Sequence, residues 1–154
     1  MASSHHIRTL HLVDLENLAG DPKAQRPEAI QALTHYLDLA EYQPGDQVLI
    51  AANPGMISQI CFDTLVPCSM HAARGKDGAD LVLLSHVEPA QVALRFGRLV
   101  IGSGDGGFAD AAFAVRDRGA PVIVVSRRQS LSRRLQGEGL GIRILPQLAF
   151  AMAH

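Results

Sequence analysis

The sequence predicts an α/β fold, a single domain built on a doubly wound, mostly parallel sheet with helices on both faces. Short β-rich apolar runs alternate with helical segments from one end of the 154-residue chain to the other, and neither repeats nor low-complexity linkers interrupt them. Several runs are apolar at consecutive positions, as strands covered on both faces require. With 47% hydrophobic residues the chain can bury one substantial core, expected over about residues 7–146 of a domain spanning 1–154.

The first strand is expected at Ile7–Val13. A helix follows over Pro27–Tyr42, opened by a proline whose missing N–H costs nothing there, with an apolar stripe of Ile30, Leu33, Leu37 and Ala40 at three- and four-residue steps. Gln47–Ala51 reads as the second strand, Pro54 opens a helix through Ile57, Ile60 and Cys61, and Val66–His71 reads as the third strand. Ala79–His86 is a helix ended by the turn at Glu88-Pro89. Arg98–Ile101 is the fourth strand, followed by a helix over Phe108–Arg118 that Gly119 stops. Pro121–Val125 and Ile142–Leu145 complete the set.

Composition narrows the function classes. Cys61 and Cys68 make no CxxC pair, and Cys68-x-x-His71 lacks the second pair a zinc site needs, so free thiols in a reducing compartment are expected. No apolar stretch approaches the roughly 20 residues that span a bilayer, and the N-terminus lacks the basic and apolar regions of a signal peptide. The expectation is a cytoplasmic protein without membrane contact. Net charge is −1, against an indiscriminate polyanion binder, yet after residue 90 nine arginines face four acids. A local basic face beside an acidic centre suits a polyanion approaching a metal. Solvated helix faces are the plainer account of any one arginine.

The most informative stretch is Leu99-Val-Ile-Gly-Ser-Gly-Asp-Gly-Gly-Phe108. As Gly102-x-Gly104-x-x-Gly107 it fits a dinucleotide fingerprint, and Ser126-Arg-Arg128 could then accommodate an NADP 2′-phosphate. As Ser103-Gly-Asp105 it is an acidic turn able to hold a cation. Against the dinucleotide reading, Asp105 would sit inside a loop meant to wrap a pyrophosphate, and the motif follows the fourth strand rather than the first.

Function in an open parallel sheet collects at the carboxyl ends of the strands. Asp14 closes the first strand in Leu12-Val-Asp-Leu-Glu-Asn-Leu18, Asp105 follows the fourth, and Asp80 lies at a helix start after Lys76-Asp-Gly-Ala. If the first and fourth strands are neighbours, these carboxylates converge. Two carboxylates about 4 Å apart repel by roughly 4 kcal/mol at an effective dielectric near 20, so such a group needs a cation or shared protons. An all-oxygen set without His or Cys points to Mg²⁺ or Mn²⁺ rather than zinc. Each acid also has a structural account. Asp80 reads as a helix N-cap, Asp105 as a turn residue, and Asp110 as an acid complementing the helix dipole. Asp14, followed at once by Glu16 and Asn17, brings more polar groups than one cap needs. Ser103 could orient a metal-bound water or cap the next helix.

Asp14-Leu-Glu-Asn17, Gly75-Lys-Asp-Gly-Ala-Asp80-Leu and Ser103-Gly-Asp-Gly-Gly-Phe108, in that order and spacing, resemble the NYN domain, a branch of the PIN-like metal-dependent ribonucleases. The likeness runs over roughly residues 8–145 and rests on three separated motifs. It implies a PIN-like doubly wound sheet, Mg²⁺ or Mn²⁺ held by Asp14, Asp80 and Asp105 with Asn17 completing the first motif, and cleavage of single-stranded RNA by metal-activated water. Asn17 or Ser103 would position a water or a phosphate oxygen, and Lys76, Arg127, Arg128, Arg133 and Arg134 would follow the RNA backbone. PIN-like domains often dimerise, but no residue here selects a surface for it or indicates a protein partner. One departure stands out: the family's last motif often carries a second Asp two residues after the first, where this chain has Gly107. Either Asp110 takes over or the metal is held weakly, and a catalytically silent NYN-like module that binds RNA or a protein is the alternative.

Overall fold

The computed structural model describes residues 7–75 and 77–147. Six strands, β1 (Thr9–Asp14), β2 (Gln47–Ala52), β3 (Ser69–Ala72), β4 (Arg98–Gly102), β5 (Val122–Ser126) and β6 (Gly141–Ile144), form one parallel sheet in the order β3-β2-β1-β4-β5-β6. The chain starts at the centre, winds out through β2 to β3, and crosses back to lay β4 on the free side of β1. That reversal leaves a crevice between β1 and β4 at their carboxyl ends.

Among the described residues six α-helices flank the sheet: α1 (Leu15–Ala19), α2 (Arg26–Leu39), α3 (Pro54–Ile60), α4 (Gly78–Leu84), α5 (Pro89–Arg95) and α6 (Ala109–Asp117). Side chains alternate across the strands. Leu12, Ile101 and Val124 pack with Leu83, Val92 and Ala112 from α4, α5 and α6. Val13, Ile50 and Val100 pack on the other face with Leu18, Leu33 and Met56 from α1, α2 and α3. The expected α/β doubly wound fold is therefore the one observed. Among the described residues no helix is long and apolar enough to cross a membrane, and Cys61 and Cys68 are free thiols.

Several boundaries differ from the sequence expectation. β1 begins at Thr9, and β3 begins only at Ser69, because Pro67 has no N–H for the ladder. Helix α2 stops at Leu39, and Glu41 just beyond it takes φ +54. Two short helices were not expected. In α1 the Asp14 side chain caps the N-terminus and Gly20, at φ +85, ends it. In α5 the Glu88 carboxylate accepts from the Gln91 N–H at 2.7 Å and Pro89 opens the first turn, so the pair expected only to end α4 also begins a helix.

Candidate metal centre

Register builds the site. Val13 lies opposite Gly102, so Asp14 and Ser103 leave neighbouring strands side by side. The Ser103 hydroxyl donates to Asp14 Oδ2 at 3.0 Å and accepts from the Asp105 N–H at 3.1 Å. Asp14 Oδ1 accepts from the Asn17 N–H at 3.4 Å, and the Asn17 side-chain oxygen accepts from the Gly104 N–H at 2.9 Å. The first motif thus ties the turn after β4 to the start of α1. Asp105 Oδ1 accepts from the Gly107 N–H at 2.8 Å, which shapes the short 3-10 turn Gly106–Phe108.

Asp80 is buried in the first turn of α4, with Oδ1 accepting from the Leu81 N–H at 2.8 Å. The N-cap position of that helix belongs to Asp77, so the cap account of Asp80 does not hold. Carboxylate oxygens of Asp77, Asp80 and Asp105 lie within 4.8 Å of one another. Asp14, Asn17, Asp80, Asp105, Arg127 and Ser130 all line one cleft of about 540 Å³. Sequence reasoning passed over Asp77. Its position three residues before Asp80 at a helix start was the available signal.

The cleft opposes charge on two of its acids, Asp14 and Asp80. Asp14 is 6% exposed. Burial first, then the charges of Glu16 and Asp105, push its carboxyl up to about 6, against the opposing hydrogen bonds from Ser103 and Asn17. Asp80 is also raised above the ordinary carboxylate range, by burial first and then by the charges of Asp105 and Asp77, with the Leu81 N–H opposing. An all-oxygen carboxylate set of this kind fits a hard divalent cation, Mg²⁺ or Mn²⁺.

Other expected site residues are placed elsewhere. Asp110 does not take over from position 107: one residue into α6 its side chain is 94% exposed and pairs with Arg134 at 3.1 Å. An acid at position 107 would require Asp80 to shift, since a Cβ there would lie 2.0 Å from Asp80 Oδ2. Arg133 and Arg134 are exposed on the turn Arg133–Gln136, and Arg134 also donates to the Gly106 carbonyl at 3.0 Å, on the outside of the loop. Arg128 lines a separate groove, Arg127 lines both, and Lys76 lies outside the described residues.

The glycines of the fingerprint serve internal packing. A Cβ on Gly102 would meet the Tyr36 ring at 2.7 Å, and one on Gly104 would meet the Ser130 carbonyl at 2.3 Å and the Ser126 hydroxyl at 2.4 Å. The amides of Gly104, Asp105 and Gly107 are spent on Asn17, Ser103 and Asp105. Three of the N–H groups that the dinucleotide reading would aim at a pyrophosphate are therefore already bonded within the protein.

No protein-family model and no curated protein matches the chain. Among solved structures it is similar to VPA0982, a protein of unknown function from Vibrio parahaemolyticus, with a TM-score of 0.60 and 17% identity over 92% of this chain and 96% of that one. At that identity the likeness concerns the fold.

Proposed function

We propose that the protein is a Mg²⁺- or Mn²⁺-dependent ribonuclease of NYN-like type that hydrolyses phosphodiester bonds of single-stranded RNA. The observation that carries this reading is the cleft at the β1/β4 crevice that Asp14, Asp80 and Asp105, from three distant chain segments, line together, where burial and neighbouring carboxylates oppose the ionisation of Asp14 and Asp80. The three motifs that resemble the NYN domain are the segments that meet. A bound divalent ion supplies charge neutralisation at phosphate and a more acidic water. Asp14, at the end of β1, Asp105, in the turn after β4, and Asp80, on α4, would hold it. Ser103 aims the Asp14 carboxylate, and Asn17 holds the turn that carries Asp105. A cytoplasmic setting suits the free thiols.

A second reading, an RNA-binding module that does not cut, is favoured by the glycine at position 107, which leaves one acid fewer than the family often has. Cleavage of a labelled single-stranded RNA in Mn²⁺, Mg²⁺ or EDTA, by wild type, Asp14→Asn and Asp105→Asn, separates the two. Metal-dependent cutting lost in both variants is the expected result. RNA retention with no cutting would move the assignment to the binding module.

A further inference from the structure

We infer that Arg127 is a phosphate clamp for a single-stranded nucleic acid that passes from the acidic cleft into the neighbouring groove; the inference extends the proposed function to the path of its substrate. Arg127 follows β5 and is shared by two concavities, the acidic cleft and a groove of about 360 Å³. That groove has Leu18, Ile144 and Leu145 among its walls, with Arg128, Gln129 and Gln147 at its edges. Apolar walls flanked by cations and amides suit a ribose and base with their phosphate, and the acidic cleft next door suits the following phosphodiester.

Arg127 shares the lack of a carboxylate partner among the described residues with Arg74, Arg95, Arg118, Arg128 and Arg133, and differs from them in lining both concavities. Arg134 is paired with Asp110, Arg116 with Asp117 and Arg143 with Glu41, and Arg98 donates to Thr9 and the Ala40 carbonyl. Among the described residues Arg127 meets a single side-chain acceptor, the Ser130 hydroxyl at 3.1 Å, and no carboxylate. The guanidinium rests against Gly20, the left-handed end of α1, where a Cβ would lie 2.6 Å from Arg127 Cζ. One donor face of the fork is held by Ser130, which leaves the others for a phosphate bound bidentately.

The test is binding of a fluorescent ten-nucleotide single-stranded RNA to the full chain in EDTA, followed by anisotropy over a salt series, for wild type, Arg127→Gln, Arg127→Lys and Arg118→Gln. Circular dichroism checks that each variant is folded. Loss of one phosphate contact should weaken binding about 5- to 10-fold in Arg127→Gln and lower the salt slope by about 1. Arg127→Lys should keep the slope while losing part of the affinity, and Arg118→Gln, at the far end of α6, should match wild type. Unchanged affinity and slope in Arg127→Gln, or no RNA binding by wild type, would overturn the clamp. A DNA strand of the same sequence distinguishes a clamp that reads only phosphate, which binds both equally, from one that also reads the ribose. In Mn²⁺, cutting with an unaltered KM in Arg127→Gln sinks the clamp and leaves the nuclease standing; Arg127-dependent binding without cutting does the reverse.

Discussion

Asp14 is held where a neutral side chain would cost less. Its folded-state carboxyl, at about 6, lies above the ordinary 3.8, so its contribution to stability is fully present below pH 3.8 and is lost as pH rises through 6. At about 1.4 kcal/mol per pH unit the neutral-pH cost is up to roughly 3 kcal/mol. Asp14→Asn should therefore stabilise the metal-free protein by about 1–3 kcal/mol in urea unfolding at pH 7.5, with the advantage vanishing below about pH 4, while abolishing metal-dependent cleavage. An Asn variant no more stable than wild type at pH 7.5 would show that the carboxylate is not strained. Gly107 is the second informative residue. Gly107→Asp restores the acid the family often has but drives its Cβ into Asp80 Oδ2, and should cost about 1–3 kcal/mol in the same assay without raising metal affinity. The acids Asp14, Asp80 and Asp105 were legible as residues because each sits in a short polar or glycine-rich motif at or just after a strand end or at a helix start. That a side chain at position 107 would press on Asp80, and that Asp110 turns away to Arg134, depends on approaches between segments far apart in the chain.

At the scale of elements, β1 does two jobs. Its carboxyl end carries Asp14, and its middle carries His11, fully buried, with Nδ1 2.7 Å from the Tyr36 hydroxyl on α2 and Nε2 2.9 Å from Asp46 before β2. Asp46 also accepts from the Thr9 and Gln43 N–H groups, so one polar cluster fastens α2 and the α2–β2 turn to the sheet. Removing the hydroxyl in Tyr36→Phe leaves His11 Nδ1 without its partner in the core, and chemical denaturation should show a loss of about 1–3 kcal/mol. Burial first, and the Arg98 charge after it, lower the His11 pKa, with Asp46 opposing. A folded pKa below the ordinary 6.5 means that this group's stability is full above pH 6.5 and is lost as pH falls toward the folded value. Replacing His11 by Gln should flatten that limb of the stability curve; an unaltered limb would place the acid sensitivity elsewhere. The strands and long helices were readable because hydrophobic period and proline position are local signals. Helix α1 was missed because five residues are too few for a period, and α5 because the Glu88-Pro89 pair that opens it reads as the turn ending α4; only their caps announce them.

For the whole molecule, the acids are distributed over both halves of the winding. Asp14 ends β1, Asp80 sits on the crossover that returns from β3, and Asp105 follows β4. A divalent ion held by all three would bind the folded chain far better than the unfolded one. Mn²⁺ at about 100 times its Kd should add about 2.7 kcal/mol, a rise in Tm of roughly 5–10 °C for a domain of this size. Asp14→Asn and Asp105→Asn should abolish the rise, and a rise that persists in both would place the ion elsewhere. Sequence by itself determined the fold class, the six strands in outline and the three acidic motifs, since each is written in local pattern and residue chemistry. Only the tertiary structure decided that the motifs share a cleft, which arginine stands beside it, and why the glycines are there. Those depend on strand order and on side-chain approaches of a few ångströms between segments some 20 to 90 residues apart, such as Ser103 with Asp14 and Gly107 with Asp80, and no local pattern encodes a distance of that kind.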